Sequence, residues 1–130
     1  MNESVAAIAD ASAILALLKQ EPFSKLDPRR LFRATISAVN LSEVLERLCS
    51  GGLSTSEANE AVAELNLRVA DFDETQARLA AYLRPQTRRA GLSLGDRACL
   101  ALGLSLGYPV ITADRAWARL DVGVEVVLIW

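Results

Sequence analysis

The chain has 130 residues, 52% hydrophobic and 23% charged, a globular composition that excludes a disordered or collagen-like chain and suits one domain spanning residues 1–130. It contains no histidine and carries a formal net charge of −2, which excludes Ser-His-Asp and Cys-His catalysis, histidine zinc sites and a bulk polycation. The longest stretch without a charge, Ala98 to Ala113, has 16 residues, short of the roughly 20 that a membrane span needs; Glu3 and Asp10 argue against a secretion signal, so a cytoplasmic protein is expected.

Val5 to Ala9 is an apolar run that ends at Asp10 and reads as a buried strand. Ser12 suits the cap of a helix carrying Ile14, Leu15, Leu17 and Leu18. Pro22 and Pro28 bracket an irregular stretch, and Ala34 to Ile36 suits a second strand. Ser37 opens a helix with the apolar stripe Leu41, Val44, Leu45 and Leu48, which Gly51-Gly52 ends. Ser54 or Thr55 starts another, turning Ala58, Ala61, Val62 and Leu65 inward; a short strand over Val69 to Phe72 follows. Asp73 caps a helix through Leu83 that stops near Pro85. A helix from Ser93 or Gly95 to Gly107, a strand over Pro109 to Thr112, a short helix bearing Trp117 and Leu120, and a strand over Val124 to Ile129 complete the chain. Strands alternating with helices predict an α/β fold, a parallel sheet covered on both faces. Cys49 and Cys99 lie in apolar helical patterns and read as reduced core residues, as does Trp117.

Charge is unevenly placed. From Leu41 to Glu74 eight acids oppose two arginines, whereas from Arg84 to Arg119 six arginines oppose two acids. The second segment suits an anionic ligand or an ordinary solvated surface.

Ligands of parallel α/β sheets bind outside the carboxyl ends of the strands. Asp10 and Asp114 each follow a strand, and Glu43 and Asp96 lie early in helices that leave the same edge. Taken singly, Asp10, Asp96 and Asp114 suit helix capping, and Glu43 suits an i,i+4 pair with Arg47. Together, four crowded carboxylates repel one another unless a hard cation joins them, and Mg2+ or Mn2+ prefers such oxygen donors. Ser12 and Thr112 stand close enough in sequence to add hydroxyls, and Asn40 shares a helix face with Glu43.

Ile8-Ala-Asp10-Ala-Ser12, Ser37-Ala-Val-Asn40-Leu-Ser-Glu43-Val, Leu92-Ser-Leu-Gly-Asp96-Arg-Ala and Val110-Ile-Thr112-Ala-Asp114-Arg resemble, in order and spacing, the four motifs of the PIN-domain family, in particular VapC-type toxins of toxin–antitoxin pairs. Gly95 departs from the alanine frequent there. The resemblance implies a PIN-like three-layer fold with a central, mostly parallel sheet flanked by helices. It also implies an endoribonuclease dependent on Mg2+ or Mn2+, with Asp10, Glu43, Asp96 and Asp114 as catalytic and metal-binding residues. A homodimer is implied, together with a VapB-like antitoxin that covers the acidic edge. Ser12, Asn40 and Thr112 are candidates to support these acids. Arg97 and Arg115 either hold substrate phosphate or form surface ion pairs, and Arg88 and Arg89 are looser candidates for RNA.

The competing reading is a non-catalytic α/β metal-binding or receiver-like module. A receiver needs paired acids after the first strand and a later lysine, but the lysines here are Lys19 and Lys25. A phosphatase of the haloacid dehalogenase type needs an aspartate where Ser12 stands.

Overall fold

The computed structural model describes residues 6–130. Five short strands form one sheet: β1 (Ile8–Ala9), β2 (Thr35–Ser37), β3 (Arg68–Ala70), β4 (Val110–Thr112) and β5 (Val126–Leu128), in the order β3-β2-β1-β4-β5. Every neighbouring pair is parallel. Six helices connect and cover them: α1 (Ala11–Leu18), α2 (Ala38–Ser50), α3 (Thr55–Ala63), α4 (Glu74–Tyr82), α5 (Arg84–Thr87) and α6 (Leu94–Leu106). Single 3-10 turns occupy Pro28–Leu31 and Arg115–Arg119.

Successive strand residues face opposite sides of a sheet, and the central strands show this directly. Ala7, Ala9 and Ile111 join a core with Ile14 of α1 and Val44 of α2. Ile8 and Val110 join a second core with Cys99, Leu100 and Leu102 of α6 and with Trp117. The sheet is therefore the middle of three layers. From β1 the chain builds outward to β2 and β3, then returns to β4 on the other flank. The crevice at such a reversal, beyond the carboxyl ends of β1 and β4, is where parallel sheets bind ligands.

The elements follow the sequence closely, with informative departures. Val5 lies outside the described residues, and the first strand there is Ile8–Ala9. Asp10, not Ser12, is the N-cap of α1: its carboxylate accepts from the Ala13 amide. Ser12 is thereby freed for tertiary bonds. The third strand is Arg68–Ala70 rather than Val69 to Phe72, an edge strand with Val69 49% exposed. Pro85 ends α4 as expected but also opens α5, where its missing amide is harmless. The last strand is confined to Val126–Leu128, starting beyond the turn at Gly123. Of the α2 stripe only Val44 is fully buried; Leu41, Leu45 and Leu48 are half-buried. Cys49 is likewise half-buried rather than core, and faces a shallow apolar groove with Leu41 and Leu45, whereas Cys99 is fully buried.

Candidate active site

Two strand ends and two helix starts meet at the crevice. A cavity of about 360 Å³ is lined there by Asp10, Ser12, Glu43, Arg47, Ser93, Asp96 and Asp114, among others. All four acids singled out by sequence line it.

Asp10 is the deepest, 4% exposed at the end of β1. Its Oδ1 accepts from the Ala13 amide at 2.8 Å and from the Ser12 hydroxyl at 2.8 Å. Its Oδ2 accepts from the Thr112 hydroxyl at 2.6 Å. Burial pushes its carboxyl up from 3.8 to about 6; these hydrogen bonds partly offset the rise, and the charge of Asp96 adds to it. The two hydroxyls reach in both directions. The Ala113 amide donates to Ser12 Oγ and the Asp114 amide to Thr112 Oγ1, each at 3.0 Å. Ser12 and Thr112 thus tie the tail of β4 to the end of β1. The Trp130 indole, donating to the Ala113 carbonyl at 3.0 Å, holds the same turn from behind.

Glu43 sits near the second turn of α2. Its Oε1 accepts from Asn40 Nδ2 at 2.8 Å, and the same amide nitrogen donates to the Gly95 carbonyl at 3.0 Å. Asn40 is 1% exposed, and its Oδ1 has no partner. Asp96, in the first turn of α6, completes a reciprocal cap: it accepts from the Ser93 amide while Ser93 Oγ accepts from the Asp96 amide. Asp114 is exposed and caps the turn at Arg115–Arg119 through the Ala116 amide. Capping and cavity lining are therefore not alternatives for Asp10, Asp96 and Asp114; each does both.

The basic candidates separate. Arg97 donates to the Ala80 carbonyl at 3.0 Å, which ties α6 to α4, and it does not line the cavity. Arg115 is exposed and also absent from the cavity wall. Arg88 and Arg89 are exposed, and Trp117 is fully buried. Arg47 is the cation that does line the cavity among the described residues. Among the described residues the i,i+4 pairing of Glu43 with Arg47 does not form; the ion pairs there are Arg29–Asp27 and Arg78–Glu74. Sequence reasoning treated Arg47 only as a mate for Glu43; its position one turn along the same helix face was the signal for its place on this wall.

The donor set is all oxygen, which fits Mg2+ or Mn2+. A carboxylate accepts about four hydrogen bonds, and Asp10 takes four contacts from three protein donors, the Ser12 hydroxyl spanning both oxygens. Among the described residues no three Asp, Glu or Cys side chains already stand close enough to hold an ion. Each carboxylate is instead engaged with a protein donor. The field of the acids is felt beneath the cavity, where burial raises the Cys99 thiol well above its usual range and the charges of Asp10, Asp96 and Glu43 raise it further.

The PIN domain family matches the chain over residues 7–123. No curated protein matches it. Among solved structures it is similar to VapBC-5 of Mycobacterium tuberculosis, a member of the VapBC family of toxin–antitoxin systems, at 27% identity and a TM-score of 0.62 over 96% of this chain and 98% of that one. It is also similar to the DNA-bound VapBC of Salmonella typhimurium, at 21% identity and a TM-score of 0.71 over 97% and 99%. A third is VapC20 of Mycobacterium tuberculosis, a sarcin-ricin loop cleaving toxin, at 17% identity and a TM-score of 0.70 over 92% and 99%.

Proposed function

The chain belongs to the PIN domain family, and from that premise we propose that it is an endoribonuclease dependent on Mg2+ or Mn2+, the toxin of a toxin–antitoxin pair. The observation that carries the reading is the convergence of Asp10, Glu43, Asp96 and Asp114 on one cavity. These four would hold the ion. When bound, it supplies Lewis acidity toward the phosphodiester and acidifies water for in-line attack.

The chain's own residues do the rest. Ser12 and Thr112 fix the Asp10 carboxylate by donating to it, and Asn40 fixes Glu43. The negative charge of the acids would repel a phosphate backbone, and a cation held by them would offset that repulsion. Arg47 then offers positive charge on the wall where a phosphate must lie. The exposed Arg88, Arg89 and Arg115 add charge for the RNA backbone.

The reading extends to a single domain over residues 1–130, cytoplasmic, forming a homodimer and bound by a VapB-like antitoxin. Known toxin–antitoxin complexes share the fold. The apolar grooves beside α2, lined by Leu41, Leu45, Val62 and Val69, offer a partner surface. Among the described residues, no helix is long and apolar enough to cross a membrane.

The test compares wild type with Asp96→Asn on single-stranded and structured RNAs, in Mg2+, Mn2+ or EDTA. Metal-dependent cleavage lost in the variant is expected. Cleavage that persists in EDTA or in the variant overturns the proposal and favours neither this mechanism nor these residues.

A further inference from the structure

Gly95 occupies the first turn of α6, is buried, and sits beside Asp96. Alanine is the better helix former at such a place, and the backbone there has ordinary helical geometry, so no left-handed turn calls for glycine. The reason lies across the cavity. A methyl group built on Gly95 would stand 2.5 Å from Cδ and 2.6 Å from Oε1 of Glu43, and closer still to Oε2. The missing side chain is the seat of the Glu43 carboxylate. Asn40 closes that seat, since one amide nitrogen reaches both Glu43 Oε1 and the Gly95 carbonyl.

We infer that Gly95 and Asn40 are positioning residues that key the Glu43 carboxylate of α2 against the start of α6, and so fix its place relative to Asp96. This rests on the reading of the cavity as a divalent-ion site. The Glu43 carboxylate is the far end of a flexible side chain, so a methyl at position 95 displaces it without disturbing the helices. Separation of function from stability is the signature: the fold keeps its strength while the site loses an arm.

The experiment uses the full chain. The carboxyl 13C resonance of Glu43 is recorded in the metal-free protein, and Mn2+ alone is titrated calorimetrically, for wild type, Gly95→Ala, Asn40→Ala and Glu43→Asp, and for Gly95→Ala combined with Glu43→Asp. Gly95→Ala should melt at or above wild type, move the Glu43 resonance and weaken Mn2+ binding by about 10–100-fold, the range for residues that orient metal ligands. The shorter aspartate at position 43 should recover part of that loss in the Gly95→Ala background, although it weakens binding in wild type. Asn40→Ala, which adds no bulk, should move the same resonance and weaken binding too. An unmoved Glu43 resonance in Gly95→Ala, unchanged Mn2+ affinity, or independent, multiplying effects of the changes at 95 and 43 would overturn the inference. Wild type that binds no Mn2+ while the resonance still moves would instead overturn the ion-site reading and leave the keying intact.

Discussion

Thr112 Oγ1, at the end of β4, donates a 2.6 Å hydrogen bond to Oδ2 of Asp10, at the end of β1, and accepts from the Asp114 amide at 3.0 Å. One hydroxyl therefore joins residues 102 positions apart in sequence and holds two acids in a common frame. Thr112→Val keeps the shape and removes both bonds. Loss of a hydrogen bond to a charged group should lower the metal-free stability by about 1.5–3 kcal/mol at neutral pH. The loss should shrink near pH 4, where Asp10 is protonated. Urea unfolding at the two pH values checks this.

Asp10 supplies a pH dependence of definite sign. Its carboxyl is raised from 3.8 to about 6 in the fold, so the folded state binds the proton more tightly than the unfolded chain. Asp10 should therefore take roughly 3 kcal/mol from the stability of the metal-free protein as pH rises between those values, a contribution that levels off above about pH 6 and opposes those of Asp27 and Glu57, whose carboxyls are lowered. Asp10→Asn should abolish this slope and be the more stable protein at pH 8. Saturating Mg2+ should raise the melting temperature of wild type and leave that of Asp10→Asn unmoved. A variant less stable than wild type at pH 8 would mean that the hydrogen bonds of Asp10 outweigh the penalty of burying it.

Asp96→Asn tests division of labour within one residue. Asparagine retains an oxygen for the Ser93 amide, so the cap should survive and stability should stay within about 0.5 kcal/mol of wild type. Metal-dependent RNA cleavage should fall by at least about 100-fold, the upper end for lost support of a metal ligand. Calorimetry and a cleavage assay on one preparation separate the two.

Arg47 and Arg97 should behave oppositely. Arg47→Ala removes charge from the cavity wall; it should raise KM and reduce the salt dependence of RNA binding by about one counterion, with stability unchanged. Arg97→Ala cuts the bond to the Ala80 carbonyl. It should destabilise by about 1 kcal/mol and leave Mn2+ affinity alone. Filter binding across a salt series, with thermal melts alongside, reads both.

Local chemistry in this chain was legible because local rules decided it. Ser37, Ser54, Asp73 and Ser93 cap the helices that their spacing predicts, and Asp10 and Asp114 follow strands whose apolar runs are plain. Strand ends were less legible, since β3 and β5 stop where pairing stops rather than where apolar residues do. At the start of α1, Asp10 and Ser12 both suit a cap by type. The outcome was settled by Thr112 and Ala113, which arrive from the other end of the chain and engage the Ser12 hydroxyl. Arg97 and Arg47 look equivalent as arginines beside acids. Only packing of α4 on α6 sends the first to Ala80 and leaves the second on the cavity wall.

The placement of the two thiols makes the protein convenient to watch. Electrophiles attack thiolates, and Cys99, sealed under negative charge, offers almost none. Cys49 stands half-open among the residues that line α2's apolar groove. A maleimide dye should therefore report from a single place, without mutagenesis.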